Sequence, residues 1–299
     1  MENFVIILAY LLIGMGLRRI PAFPAETGNA LNLFVIHVSL PALVFIKIPE
    51  LSLSGNLLAP AFMPWAILLF SASLILFLAK TLRWDRPTTG CLLLLVPLGN
   101  TSFLGIPMVR AFFGEQAIPY AVLYDQLGSF LALSTYGSSV LALYGTGNSR
   151  PSMRDVLKKI VSFPPFIALV LALLLRPFSY PDIAVDILKA LSSTLVPIVM
   201  IAVGFQLTMR LDRTATAQLS IGLCIKLIGA PLAALFVCKA AGLEGEAVRV
   251  SVFESGMPPM ISAGALAILA NLSPRLASAL VGLGIVLSFA TLPVLYQLL

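Results

Sequence analysis

Apolar runs of about twenty residues recur along the whole chain. The first extends from Phe4 to Leu17, and the later runs are separated only by short polar stretches. A helix needs about 20 mostly apolar residues to cross the hydrocarbon core of a bilayer. Of the 299 residues, 59% are hydrophobic and 11% are charged, and a water-soluble fold could not bury so much apolar surface. The sequence therefore predicts an all-α integral membrane protein.

The ends of the apolar runs predict ten transmembrane helices in two groups of five. Charged residues, proline and glycine mark these ends. The helices are expected near residues 2–19, 29–48, 60–81, 88–112 and 119–144, and then near 158–176, 185–209, 216–240, 247–271 and 274–298.

The two groups resemble each other at a nearly constant offset. Pro197 follows Pro41 by 156 positions, and Gly256 follows Gly99 by 157. Because each group has an odd number of helices, the second group would enter the membrane upside down, as in many transporters. We therefore predict a first inverted repeat at residues 1–145, a cytoplasmic linker at 146–157 and a second inverted repeat at 158–299.

Basic residues predict the orientation in the membrane. The loops that would face the cytoplasm if the N-terminus lies outside hold 12 of the 19 lysines and arginines: Arg18, Arg19, Lys80, Arg83, Arg86, Arg150, Arg154, Lys158, Lys159, Arg210, Arg213 and Arg275. The positive-inside rule then places both termini outside a multi-pass protein, which we expect in the bacterial cytoplasmic (inner) membrane. Basic residues spread in this way do not indicate a nucleic-acid partner.

Two apolar runs contain helix breakers at corresponding positions of the two repeats. The fourth reads PLGNTSFLGIP at 97–107, and the ninth reads ESGMPPMISAG at 254–264. Proline removes a backbone donor and clashes with the preceding turn, so we expect both helices to unwind near the bilayer midplane and to cross there. The alternative is that these prolines only kink packed helices. Two corresponding breaks that carry Asn100 and Glu254 favour a binding site.

Acidic residues within the apolar runs indicate a cation site. An unpaired charge at the bilayer centre costs at least a few kcal/mol, so such acids usually face a cavity. The alternative is a carboxyl group bonded to a neighbouring helix. We predict cation ligands at Glu254, Asp125, Asn100, Ser255 and Gln126, with Asp125 at a shallower depth. Glu254 and Asp125 would be the metal ligands, and sodium is favoured over a proton.

A small organic anion is the expected substrate. Amides and a positive helix N-terminus at an unwound segment suit a carboxylate. Lys226, near the middle of the eighth run, could pair with that carboxylate, with Asp125 or Glu254, or extend to the membrane surface. His37 is interpreted as an interior residue rather than a proton relay. The predicted substrate-binding residues are Asn100, Thr101, Gly99, Met257, Pro258, Pro259 and Lys226.

At these positions the chain resembles the auxin efflux carrier family. The similarity rests on LGNTSFLGIP at 98–107, followed by Phe113-Gly114, and on LPAL at 40–43. A more distant resemblance is to bile acid:sodium symporters, in which a Glu-x-Gly-Met-Gln stretch of the ninth helix helps to bind sodium. Residues 254–257 of this chain, ESGM, match its first four positions, and Pro258 replaces the glutamine, so two intact sodium sites are not expected. The resemblance implies a scaffold domain of helices 1, 2, 6 and 7, and a transport domain of helices 3–5 and 8–10. It also implies elevator-type movement and a possible homodimer through the scaffold.

Three classes of function remain open at this stage. The leading hypothesis is a cation-coupled secondary transporter of an organic anion, and the alternatives are an uncoupled facilitative carrier and a membrane sensor that does not transport. The sequence contains no GxxxxGK[ST], HExxH or GxSxG, so an ATP-driven pump or an enzyme is not expected. No cofactor beyond a sodium ion is expected, and the other partner is membrane lipid.

Overall fold

The computed structural model describes residues 2–51, 57–146, 152–207 and 216–299. These residues are mainly helical, and the only β pairing within them is one isolated bridge. Helices satisfy backbone donors and acceptors internally, which is required where no water is present to replace the lost hydrogen bonds.

The helices are numbered here in chain order. They are α1 Glu2–Leu17, α2 Thr27–Lys47, α3 Leu58–Thr81, α4 Arg86–Leu95, α5 Thr101–Phe113, α6 Glu115–Tyr144, α7 Met153–Val161, α8 Pro164–Leu174, α9 Asp182–Gln206, α10 Thr216–Ala240, α11 Glu246–Ser255, α12 Ile261–Leu269 and α13 Pro274–Leu298.

Six of these helices are each long and apolar enough to cross a membrane. They are α2, α3, α6, α9, α10 and α13, and the bent pair α7–α8 is a seventh candidate in the described part of the chain. The protein is therefore an integral membrane protein built from helices. The predicted fourth and ninth helices are each divided into two short pieces, α4 with α5 and α11 with α12, so the ten-helix inverted repeat stays a prediction.

The predicted sixth helix differs from the structure at its start. Instead of one helix from residue 158, α7 begins at Met153 and ends at Val161, and α8 begins at Pro164. Consecutive prolines at 164 and 165 supply no amide donors to the preceding turn, so the helix ends before them. Part of the predicted linker is thus helical, whereas residues 147–151 lie outside the described residues.

One compact unit comprises residues 1–54, 102–122 and 158–207. Within it α1 and α9 pack closely through two glycines. A Cβ atom at Gly14 would overlap the carbonyl oxygen of Ile201, and one at Gly204 would overlap that of Leu11. Small residues at such crossings let helix backbones approach each other where no hydrophobic effect drives association.

The second compact unit comprises residues 55–101, 123–157 and 208–299. Helix α4 is at the centre of its core, because Leu92, Leu94 and Leu95 are fully buried against α12 and α13. A helix that is apolar on all sides in this way must be surrounded by other helices.

Helices α3 and α6 of this second unit contact each other at a small residue. A Cβ atom at Gly128 would overlap the ring of Pro64, so glycine allows the close approach. Beside it, the indole Nε1 of Trp65 donates a hydrogen bond of 3.0 Å to the carbonyl oxygen of Leu127. This contact holds the part of α6 that carries Asp125.

Candidate functional site

The two helix breaks pair with each other through their backbones. Gly99, in the break between α4 and α5, forms an antiparallel bridge with Pro259, in the break between α11 and α12. The Asn100 amide donates to the Pro258 carbonyl oxygen at 2.8 Å, and the Met260 amide donates to the Leu98 carbonyl oxygen at 3.1 Å. Unwound backbone that is buried among helices needs such partners. The breaks lie side by side in the structure, and we refer to the paired breaks as the crossing.

This pairing changes the expected role of the backbone amides near the prolines. Pro258 and Pro259 carry no N–H, and the amides of Met260 and Asn100 are used between the two breaks. The amides of Asn100, Met257 and Met260 are therefore not free to bind a carboxylate, and the binding of an anion by other donors near these prolines stays a prediction.

Glu254 lies in the last turn of α11, directly before the second break. Its side chain is fully buried, at 0% exposure. Neither carboxyl oxygen has a hydrogen-bond partner among the described residues. Glu254 interacts electrostatically with Asp125 and with Lys226. A buried carboxyl group without a donor is costly, so these oxygens are the strongest indication of a ligand that binds at this position.

Asp125 forms the second acidic group of the site. The Thr101 hydroxyl donates to its Oδ1 at 2.6 Å, and the Gln126 amide nitrogen donates to its Oδ2 at 2.7 Å. Asp125 is 1% exposed, so its carboxyl group is enclosed by the protein, and its shallower depth in the membrane stays a prediction. The Thr101 hydroxyl thus binds a carboxylate of the protein, and its contact with substrate stays a prediction.

Lys226 reaches the crossing from the middle of α10. It is only 2% exposed, and its Nζ donates to the carbonyl oxygen of Ser255 at 3.3 Å. A Cβ atom at Gly99 would lie 3.1 Å from the same Nζ, so the ammonium group approaches both breaks. Of the alternatives left open for Lys226, extension to the membrane surface is wrong.

A small cavity lies among these side chains. Its volume is about 10 Å³, and it is lined by Gly99, Thr101, Tyr124, Lys226 and Glu254 among other residues. This is close to the space that a single water-sized group needs. The cavity therefore has the size of a small ion rather than of an organic acid in this conformation.

Asn100 completes the polar groups at the crossing. The residue is 2% exposed, and its Nδ2 atom has no partner in the described part of the chain. Of the other predicted ligands, Met257 is fully buried and near Gly99. The structure thus brings Gly99, Asn100, Thr101 and Lys226 together with the acids.

Comparison with known proteins identifies the kind of protein that carries this site. Residues 1–296 match the family model described as membrane transport protein. The chain belongs to the auxin efflux carrier family. An uncharacterised transporter of Methanothermobacter thermautotrophicus is 28% identical over 98% of this chain and 96% of its own length. An uncharacterised transporter of Methanocaldococcus jannaschii is 28% identical over 86% of this chain and 85% of its own length.

Wide helical turns position the polar residues of this auxin efflux carrier family member. Such π-type turns add a residue to the turn, redirect side chains and occur often at functional sites. The sequence did not predict these wide turns, because they contain no proline. Their one sign in the sequence is a polar residue inside an apolar run. The turns that hold Thr101, Asp125 with Gln126, and Lys226 are Thr101–Gly105, Tyr124–Phe130 and Ile225–Gly229.

The oxygen atoms at the crossing are candidate ligands for a hard monovalent cation. The described residues contain no group of three or more His, Cys, Asp and Glu side chains that could hold a metal ion. The oxygen atoms of Glu254 and the backbone carbonyl oxygens near it are ligands of the type that sodium binds.

His37 does not belong to this site, because it is exposed and its Nδ1 donates to the Leu33 carbonyl oxygen within its own helix. The prediction of an interior histidine is wrong.

Proposed function

We propose that this transporter is a secondary carrier of a small organic anion, coupled to a cation and working by elevator-type alternating access. One observation carries the proposal. Glu254 is fully buried at two paired helix breaks, and both of its oxygens lack hydrogen-bond partners among the described residues. Membership of a transport family supports carriage across a membrane rather than catalysis.

The cation half of the proposal follows from the cost of burying charge. Glu254 and Asp125 are both enclosed, and Lys226 is the buried cation near them. A carboxylate must be neutralised before its helices can move through the hydrocarbon core. Sodium is the favoured cation, with Glu254 and Asp125 as its acidic ligands and Asn100, Ser255 and Gln126 nearby, and a proton is the alternative.

The anion half rests on the donors that remain at the crossing. The Nδ2 of Asn100 has no partner in the described residues, and the Lys226 ammonium group carries three donors. Asn100 also directly precedes α5, at the positive end of the helix dipole. A carboxylate is the anion that fits, either auxin-like or a dicarboxylic acid. Binding would use Asn100 and Lys226 as donors, with Gly99, Thr101, Met257, Pro258 and Pro259 around them.

The proposed movement follows the repeat plan. Helices 1, 2, 6 and 7 of a ten-helix inverted repeat would form the scaffold and the contact of a homodimer, and the other six would move as the transport domain. Both termini would lie outside a bacterial cytoplasmic membrane. The physical requirement is that the moving domain carries little net charge, and coupled cations offset the negative charge of the acids and of the anionic substrate.

Counterflow of labelled carboxylates in proteoliposomes tests this function. Thermal-shift screening of the solubilised protein against organic acids, with and without sodium, first selects the substrate. We then expect labelled acid to enter vesicles that are loaded with unlabelled acid, and not vesicles without protein. Uptake that follows an imposed sodium or pH gradient identifies the coupling cation. Uptake indifferent to both gradients would indicate a facilitative carrier, and binding without counterflow would indicate a sensor.

A further inference from the structure

We propose that helix α7 lies in the surface of the membrane and binds anionic phospholipids through its basic face. The helix comprises Met153–Val161 and precedes α8, with which it forms a bent candidate span. The proposed transport function does not require this contact. It is a separate interaction surface, and its ligand is the phosphate headgroup of a lipid rather than a transported anion.

The N-terminus of α7 is capped by its own residues. The Ser152 hydroxyl oxygen accepts a hydrogen bond from the Arg154 amide at 3.3 Å, and the Asp155 carboxylate accepts one from the Ser152 amide at 3.2 Å. This reciprocal pair is a capping box in which aspartate takes the place of glutamate. The single acidic side chain of α7 is therefore used at the start of the helix, and the basic side chains dominate its polar face.

The apolar side chains of α7 share one face of the helix. At about 100° per residue they fall within an arc of about 140°, and they are Met153, Val156, Leu157, Ile160 and Val161. Val156 and Ile160 are half-buried, whereas Met153, Leu157 and Val161 are exposed by 81%, 58% and 56%. The described part of the protein thus leaves an apolar strip of α7 uncovered.

The opposite face of α7 is basic. Arg154, Lys158 and Lys159 are exposed there, and no ion pair among the described residues includes them. Three basic side chains and one acidic side chain give the helix a net charge of +2 (three minus one). A helix with one apolar and one basic face lies in the membrane interface, with its apolar side chains at the boundary of the acyl chains. The positive charge favours anionic headgroups over zwitterionic ones.

The bend between α7 and α8 supports this position. The two helix axes differ by 62°, and α8 begins at the consecutive prolines 164 and 165. Exposed apolar side chains of α8, such as Val170 and Leu174, suit contact with hydrocarbon. A straight continuation of α8 would direct α7 away from the bilayer, whereas the bend turns it towards the membrane plane. Because ammonium groups are costly in hydrocarbon, Lys158 and Lys159 keep α7 at the edge of the bilayer.

A lipid fits the exposed strip of α7 better than a second protein does. A stable protein interface buries about 800 Å² on each partner and involves about 20–30 residues on each side. The nine residues of α7 offer much less. Lipid, in contrast, is already adjacent, because α7 is joined to a helix of the candidate span. The occupant of the strip is therefore the bilayer itself.

Spin labels on α7 of the full-length protein in vesicles test this position. Cys91, Cys224 and Cys238 are first replaced by alanine. One label is then attached at Leu157→Cys on the apolar face, or at Lys159→Cys on the basic face. In vesicles that contain phosphatidylglycerol, we expect the label at 157 to collide with oxygen, which concentrates in lipid, and to be shielded from a neutral, water-soluble nickel chelate. The label at 159 should show the reverse.

The preference for anionic lipid is tested with the label at 157. Adding phosphatidylglycerol to phosphatidylcholine vesicles should lower the collision rate with the nickel chelate several-fold, and added salt should reverse this change. The double variant Lys158→Gln/Lys159→Gln should lose the response. The matched control is Lys189→Gln/Lys239→Gln, which removes two exposed lysines from other helices and should respond as the unchanged protein does.

Three results would overturn the proposal. Equal collision rates with the nickel chelate in neutral and anionic vesicles would exclude binding of anionic lipid, and so would an undiminished response of the double variant. A label at 157 that is shielded from both oxygen and the nickel chelate would show that protein covers the strip. The measurement requires no transport activity, so a protein without counterflow would refute the proposed function and leave this test decisive.

Discussion

The amide nitrogen of Asn100 and the carbonyl oxygen of Pro258 lie 2.8 Å apart, although the two residues belong to different helix breaks. This hydrogen bond fixes the backbone of Asn100 without using its side chain. The side-chain amide is thereby held in the crossing, and its Nδ2 has no partner among the described residues. Backbone pairing and ligand binding can therefore be separated by mutation.

Asn100→Ala should weaken carboxylate binding by at least about tenfold and leave the fold intact. A hydrogen bond to a charged group contributes about 1.5–3 kcal/mol, whereas the backbone pairing with Pro258 does not depend on the side chain. Binding is measured from the rise of the unfolding temperature with carboxylate concentration. Asn29→Ala, at an exposed position of α2, is the control. An affinity within about twofold of wild type would remove Asn100 from the site.

Glu254→Gln should abolish sodium stimulation of uptake if sodium is the coupling ion. The substitution removes the charge and keeps the shape, so a proton-coupled carrier would instead resemble its protonated state and still exchange substrate. Uptake is measured with sodium and pH gradients imposed separately. Glu244→Gln, at an exposed position, should behave as wild type. An active Glu254→Gln variant, together with wild-type uptake indifferent to both gradients, would refute coupling.

Thr101→Val should raise the sodium concentration for half-maximal stimulation several-fold. The Thr101 hydroxyl donates to Asp125 at 2.6 Å, and valine has a similar shape but no donor. A typical hydrogen bond contributes about 1 kcal/mol, which corresponds to about fivefold. Sodium-dependent uptake is the measurement. Thr135→Val is the control, because the Thr135 hydroxyl bonds only to the Leu131 carbonyl oxygen of its own helix. An unchanged sodium dependence would show that Asp125 does not contribute to cation binding.

Gly14→Ala should destabilise the protein by about 1–3 kcal/mol, as overpacking of a tight contact does. The added methyl group would overlap the backbone carbonyl of Ile201, which cannot rotate away as a side chain can. Gly16→Ala, two residues further along α1, has no atom within 4 Å of its added methyl group and should not destabilise. Thermal unfolding of the two variants gives the difference. Equal unfolding midpoints for the two variants would mean that α1 and α9 move apart and accommodate the methyl group without cost.

The sequence predicted the helix breaks well, because proline acts on its own backbone wherever it lies. Pro97 and Pro258 mark segments that are unwound in the structure. The same reasoning overlooked Pro164, where α8 begins, because an apolar run continues through that position. The hydrogen bond from the Met260 amide to the Leu98 carbonyl oxygen could not be predicted from the sequence. It depends on the register in which the two unwound segments lie against each other.

The membrane-embedded helical architecture and the polar character of the crossing are determined by the sequence itself. Hydropathy over about 20 residues decides whether a helix is stable in lipid, and that is a local property. Which polar atoms meet was decided only by tertiary structure. Wide turns in α6 and α10 direct Asp125 towards Thr101, and Lys226 towards the Ser255 carbonyl oxygen 29 positions away. The physical reason is that a buried donor must find an acceptor in space, and the packing of neighbouring helices determines which one it reaches.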